Sequence, residues 1–309
     1  MIRIGIIGVG MWGVNHVRVL KELEDDYDIS VSGINDIDGY RAREVSKRFG
    51  VKYLPLDTLL DNSDAVIIST PPSTHAELAL TAIERNLHVF VEKPIATNIK
   101  DAQNMVRAAE DRNLNIMVGY IERYNPAVGK LKEIIRGNEI GELVFISARR
   151  IGPKGRRRRD IGVILDLATH DIDVIRYITE MEPTRVCSKY GSKFGEYEDY
   201  ALIFLDFNDF SSIVETNLLT PYKLRELYVT GTEGVAKINY ITQEIIIDRV
   251  EDMVIPRVSY EEPLKEELRH FIDVLEGREK PICDGAEGLK TLEIALLAME
   301  NPEIECIKR

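Results

Sequence analysis

The sequence predicts an α/β protein: an N-terminal doubly wound parallel sheet of Rossmann type, then an α+β domain on a mainly antiparallel sheet. Three observations predict it. Short apolar runs near 2–7, 29–34, 65–69, 88–92 and 115–118 alternate with helical patterns such as 74–85 and 99–112, as parallel βαβ units require. The first run opens into Gly8-Val9-Gly10-Met11-Trp12-Gly13 and then a helix. After Gly119 the alternation stops, and across 184–248 strand follows strand at spacings too short for crossover helices, so their pairing should be largely antiparallel. These shifts place the domains at 1–120 and 121–309.

In the glycine loop, Gly8 permits the tight turn, Gly10 lets backbone approach a pyrophosphate, and Gly13 allows close helix–strand packing. Asp36, just past the second strand, stands where an acid accepts hydrogen bonds from the adenosine ribose. Its charge repels a 2′-phosphate, which favours NAD; Arg41 and Arg43 keep NADP open. Thr70-Pro71-Pro72 follows the third strand as a stiff corner, read either as a nicotinamide-ribose contact or as a plain strand-to-helix turn. The fourth strand, 88–92, ends in Glu92-Lys93-Pro94. Ligands of such sheets bind at the carboxyl ends of the strands, so Lys93 and the glycine loop should share one edge.

Beyond Gly119 the pattern predicts a helix over 126–136, a strand over 143–150, and a long, largely buried helix over 161–177 carrying Asp166 and His170 on one face. A neutral histidine beside a carboxylate is a good general base, and oxidising an alcohol needs one. A capped or salt-bridged histidine is the structural alternative. A metal held by Asp166, His170 and Asp173 is conceivable, but nicotinamide chemistry does not require it. Arg149, Arg150, Lys154 and Arg156 to Arg159 make a basic island, either solvated or suited to a phosphorylated substrate. Helices over 264–276 and 286–300 and a short strand over 304–308 complete the pattern.

Composition limits the function classes. The 309 residues are 44% hydrophobic and 30% charged, with net charge −12, which argues against general nucleic-acid binding. No apolar run approaches the ~20 residues that span a bilayer. The start of the chain enters a strand at once, so no signal peptide is expected, and three dispersed cysteines fit a reducing cytoplasm rather than a disulfide framework.

Taken together, Gly8 to Gly13, Thr70-Pro71 with His75, Glu92-Lys93-Pro94, Arg123-Tyr124-Asn125-Pro126, Gly162-x-x-x-Asp166-x-x-x-His170-x-x-Asp173 and the stretch 262–295 resemble the Gfo/Idh/MocA oxidoreductases. The resemblance implies catalytic roles for Lys93, Asp166 and His170. It implies cofactor contacts at Gly8, Gly10, Met11, Trp12, Gly13, Asp36, Thr70, Pro71, His75, Glu92 and Lys93. Substrate contacts are implied at Lys93, Arg123, Asn125, Arg157, Arg159, Asp166 and His170. The implied cofactor is NAD, the substrate a sugar or cyclic polyol, and the assembly a homodimer or homotetramer formed through the large sheet. A narrower resemblance, in Arg149 to Pro153, Arg157 to Asp166 and Glu215 to Thr232, is to the UDP-N-acetylglucosamine 3-dehydrogenases. Lys154-Gly155 departs from the Pro-Phe of that group. Two other functions stay open: a free polyol or sugar dehydrogenase, and a non-catalytic NAD-responsive regulator, against which the joint presence of Lys93, Asp166 and His170 argues.

Overall fold

The computed structural model describes residues 1–153 and 160–302. The chain divides into two units: Met1–Tyr120 with Leu264–Lys290, and Ile121–Pro263 with the residues from Thr291 onward.

The first unit is built on five parallel strands: β1 (Ile2–Ile7), β2 (Ile29–Asn35), β3 (Ala65–Ile68), β4 (His88–Glu92) and β5 (Ile116–Gly119). Their order is β2-β1-β3-β4-β5. β3 and β5 are buried throughout, as their unbroken apolar text requires of strands covered on both faces. Outside β2 the segment around Tyr53 runs parallel to it for a single bridge, with Ile34 N–H donating to the Lys52 carbonyl at 2.8 Å. It is a vestigial strand, and with it the sheet has Rossmann order. Gly33 permits this approach, since a Cβ there would lie 2.8 Å from Leu54.

The expected boundary left 264–290 in the second domain; the structure places this segment in the first unit. The reason is packing. Helix Pro263–Leu275 turns Leu268, Phe271 and Ile272 inward, with Phe271 edge-on to Phe90 of β4 at 5.4 Å. Cys283 and Asp284 then run antiparallel beside β5, where Val118 N–H donates to the Cys283 carbonyl at 2.9 Å. This covers an otherwise open sheet edge. Gly288 sits against Val118 so closely that a Cβ would lie 2.6 Å from its side chain.

The second unit is built on an eight-stranded sheet: β6 (Leu143–Ile151), β7 (Arg185–Gly191), β8 (Tyr200–Asp206), β9 (Ser211–Asn217), β10 (Leu224–Gly231), β11 (Gly234–Asn239), β12 (Glu244–Arg249) and β13 (Met253–Val254). Its order is β13-β12-β11-β10-β6-β9-β8-β7. Pairing is antiparallel except between β6 and β9, which run parallel. The chain between those two strands is long enough for a crossover, and it includes a helix. Expectation and structure part at the long helix. In place of one α-helix over 161–177 there is a π-helical turn, Ile164–Ala168, followed by an α-helix, Thr169–Thr179. The expected strand over 304–308 lies outside the described residues.

Candidate active site

In the first unit the candidate residues gather at the carboxyl ends of β1 to β4. Gly8 has φ 87°, and a Cβ there would lie 2.7 Å from the Ser69 carbonyl. At Gly13 a Cβ would fall 2.0 Å from the Gly8 carbonyl. These two glycines are dictated by the loop itself. Gly10 is not: the nearest atom to its Cβ position is an Arg41 nitrogen at 3.7 Å, so the space above its backbone stays clear. Helix Gly13–Leu23 begins with no side-chain cap and no acid in its first turn. Val14 N–H and Asn15 N–H bond back to the Gly10 and Trp12 carbonyls at 3.1 and 2.9 Å, and the positive dipole end of the helix still favours an anion such as a dinucleotide pyrophosphate.

Asp36 is buried and fixed. Its carboxylate accepts from Val9 N–H and Asp38 N–H, each at 2.8 Å, and Arg41 stands 3.5 Å away. The acid therefore ties the glycine loop to the end of β2. Arg41 is engaged by Asp38 at 3.0 Å as well.

Glu92, at the end of β4, accepts from Trp12 of the glycine loop and contacts the buried ring of His16 at 2.7 Å. Trp12 and Met11 are exposed beside it. His75 departs from expectation. It is fully buried, with one ring nitrogen 2.9 Å from the Thr70 carbonyl and the other 2.9 Å from the Pro94 carbonyl. It braces the Thr70-Pro71 corner against the residue that follows Lys93, rather than facing a cofactor. Lys93 itself is half-buried directly after β4.

In the second unit Asp166 lies in the π turn and His170 in the first turn of the α-helix, both half-buried among the buried Ile164, Leu165, Ala168 and Thr169. The turn is defined by Thr169 N–H donating to the carbonyl of Ile164, five residues back. Such wide turns recur at functional sites because they re-aim side chains within a rigid helix. Glu198 holds its start: the side chain accepts from Ile164 N–H at 3.0 Å, and the main-chain carbonyl accepts from Val163 N–H at 3.1 Å. Gly162 makes room for that carboxylate, which would lie 1.8 Å from a Cβ there. Sequence reasoning missed Glu198, whose distance along the chain left no signal.

Arg123 and Asn125, expected to touch substrate, are interior anchors. Arg123 is bidentate on Asp173 at 2.9 and 2.7 Å, with both side chains nearly inaccessible. Asn125 caps helix Pro126–Arg136 through Ala127 N–H and donates to the Tyr240 carbonyl at 3.0 Å. Both groups are spent on the protein. Asp173, the third member of the conceivable metal set, is taken by Arg123 and by Thr291 at 3.2 Å. Among the described residues no cluster is placed to hold a metal ion. Arg157 and Arg159 lie outside the described residues.

Two family models match: an oxidoreductase family with an NAD-binding Rossmann fold over residues 2–120, and the GFO/IDH/MocA C-terminal domain over 128–237. The chain is 26% identical to the UDP-N-acetylglucosamine 3-dehydrogenase of Acidithiobacillus ferrooxidans over 95% of each chain. It is 27% identical to the myo-inositol 2-dehydrogenase of Thermotoga maritima over 97% of this chain and 96% of that one. A solved structure of the Acidithiobacillus enzyme superposes with TM-score 0.88 at 25% identity, covering 98% of this chain and 99% of that one. The uncapped glycine loop, the anchored Asp36 and the full-length match lead to one conclusion. The chain belongs to the Gfo/Idh/MocA family of oxidoreductases and is a nicotinamide-dependent dehydrogenase, with an NAD-binding domain, acting on a CH–OH group.

Proposed function

We propose that the protein oxidises a ring hydroxyl of a nucleotide sugar, UDP-N-acetylglucosamine at C3, and passes the hydride to NAD. The observation that carries the chemistry is the emergence of Asp166 and His170 at the π-to-α junction of an otherwise buried helix. His170 takes the hydroxyl proton, Asp166 orients the imidazole and stabilises its charged form, and Lys93 stabilises the developing alkoxide. NAD, when bound, supplies the hydride acceptor. Support for the substrate is the full-length likeness to a UDP-N-acetylglucosamine 3-dehydrogenase in sequence and in structure. Arg157 and Arg159 remain assigned to the diphosphate from sequence. The reading extends to a cytoplasmic homodimer or homotetramer assembled through the outer face of the large sheet, where Phe145 and Leu202 are exposed. Among the described residues no helix is long and apolar enough to cross a membrane.

The likeness to a myo-inositol 2-dehydrogenase supports a second reading, a polyol dehydrogenase. Measuring NAD reduction against UDP-sugars and free polyols separates the two. Turnover of UDP-N-acetylglucosamine with little on inositols is expected; the reverse preference overturns the nucleotide-sugar assignment.

A further inference from the structure

β6 and β10 lie antiparallel with Arg150 opposite Arg225. Leu227 and Val229, at the parity of Arg225, are buried, so Arg225 projects on the covered face of the sheet, and Lys223 precedes it by two residues. Arg150 is matched on that face. Asp171 accepts from it at 2.7 and 3.2 Å and Glu122 at 3.1 Å. On the opposite face, Arg149 meets Glu215 at 2.7 Å and Lys237 meets Glu226 at 3.2 Å. Arg225 and Lys223 differ: among the described residues, neither has a carboxylate within ion-pair distance. Of the three carboxylates whose charge reaches Arg225, Asp171 and Glu122 already bond Arg150, and the third is Asp166.

The arrangement is unfavourable as it stands. Burial first, and then the charge of Arg150, pull the Arg225 guanidinium below its ordinary range. Arg225 in turn, and then burial, lower the Lys223 ammonium. Like charges held together in a half-covered site need an anion to offset them. The charge of Asp166, in the turn that also leads to His170, reaches Arg225 as well.

We propose that Lys223 and Arg225 form a phosphate-binding subsite of the substrate site, beside the role given to Arg157 and Arg159, holding a substrate phosphate while the sugar ring is offered to His170. A planar guanidinium binds phosphate bidentately and an ammonium adds a point charge, so this pair suits a phosphoryl group. The inference rests on the reading of the protein as a sugar dehydrogenase. It holds whether the phosphate belongs to the diphosphate of a nucleotide sugar or to a hexose monophosphate.

Calorimetric titration of the NAD-loaded protein tests it without turnover, so the result stands apart from whether UDP-N-acetylglucosamine is oxidised. UDP and a hexose monophosphate are titrated into wild type, Lys223→Gln, Arg225→Gln and Arg225→Lys. We expect at least one of these ligands to bind wild type, and the tighter one identifies the source of the phosphate. Each Gln variant should weaken that ligand by about ten- to a hundredfold, the loss of a charge-assisted hydrogen bond. Salt dependence should flatten, NAD affinity should hold, and Arg225→Lys should recover part of the loss. Equal affinity in all four proteins overturns the proposal, as does failure of wild type to bind either ligand. A lowered melting temperature with unchanged affinity in Arg225→Gln makes Arg225 a structural counter-charge and overturns its role. Lys223 is exposed, so its variant keeps the test decisive if the Arg225 variants do not fold.

Discussion

Asp36 and Arg123 show how differently two charged residues can be used. Asp36 accepts from Val9 N–H of the glycine loop and from Asp38 N–H just past β2, which fixes its carboxylate; the proposed role is to meet the ribose hydroxyls, where a 2′-phosphate would face a like charge. Calorimetric titration with both nucleotides should show tighter binding of NAD. Equal or tighter binding of NADP contradicts the role given to Asp36 and hands the site to Arg41. Arg123, by contrast, neutralises Asp173 in the interior of the second unit. Arg123→Met leaves a buried carboxylate without its partner, a loss of roughly 3–5 kcal/mol in stability, read by denaturant unfolding. A variant as stable as wild type but with a raised KM would restore Arg123 to the substrate. From sequence the two residues look alike, since each is a charged residue in a recognised motif. Asp36 was legible because its place after a strand fixes its surroundings locally. Arg123 was not, because its partner lies in another element and only the fold brings them together.

Among the elements, the helix that carries Asp166 was legible as a helix and illegible as a π turn. Its apolar residues at helical spacing announce a buried element. The widened turn depends on Glu198 capping its start and on Gly162 leaving space for that carboxylate. Gly162→Ala should therefore displace Glu198 and shift Asp166 and His170 against the substrate. Misplacement on the scale of an ångström can cost up to ~10²-fold in rate. The expected outcome is a lower kcat with NAD affinity intact, measured by steady-state kinetics and calorimetry. Unchanged kcat shows that the turn tolerates a moved Glu198. Most strands of the large sheet were legible as closely spaced runs over 143–150 and 184–248, and β13 lay beyond them. Yet alternation also held a signal left unread: Arg225 occupies the parity of Leu227 and Val229, and a cation at a core-facing position of a strand is itself a functional clue.

For the whole molecule, order along the chain and order in space part at Leu264–Lys290. The amphipathic pattern of 264–275 says that one face is buried but not against which sheet. The structure sets Phe271 against Phe90 and lays Cys283 and Asp284 along β5. A fragment ending at Tyr120 should thus expose the β5 edge and aggregate. The same fragment joined by a flexible linker to 264–290 should resist proteolysis and bind NAD. Equal protease resistance of the two fragments contradicts the assignment of this segment to the first unit.

The central claim is that this dehydrogenase removes a hydroxyl proton with His170 while Lys93 steadies the alkoxide. The most direct test is the rate of NAD reduction at saturating UDP-N-acetylglucosamine for wild type, His170→Ala and Lys93→Met. Loss of the base should lower kcat by roughly 10²–10⁴-fold and loss of the ammonium by roughly 10²–10³-fold, with NAD binding retained in both. A His170→Ala protein that keeps near wild-type kcat contradicts the account.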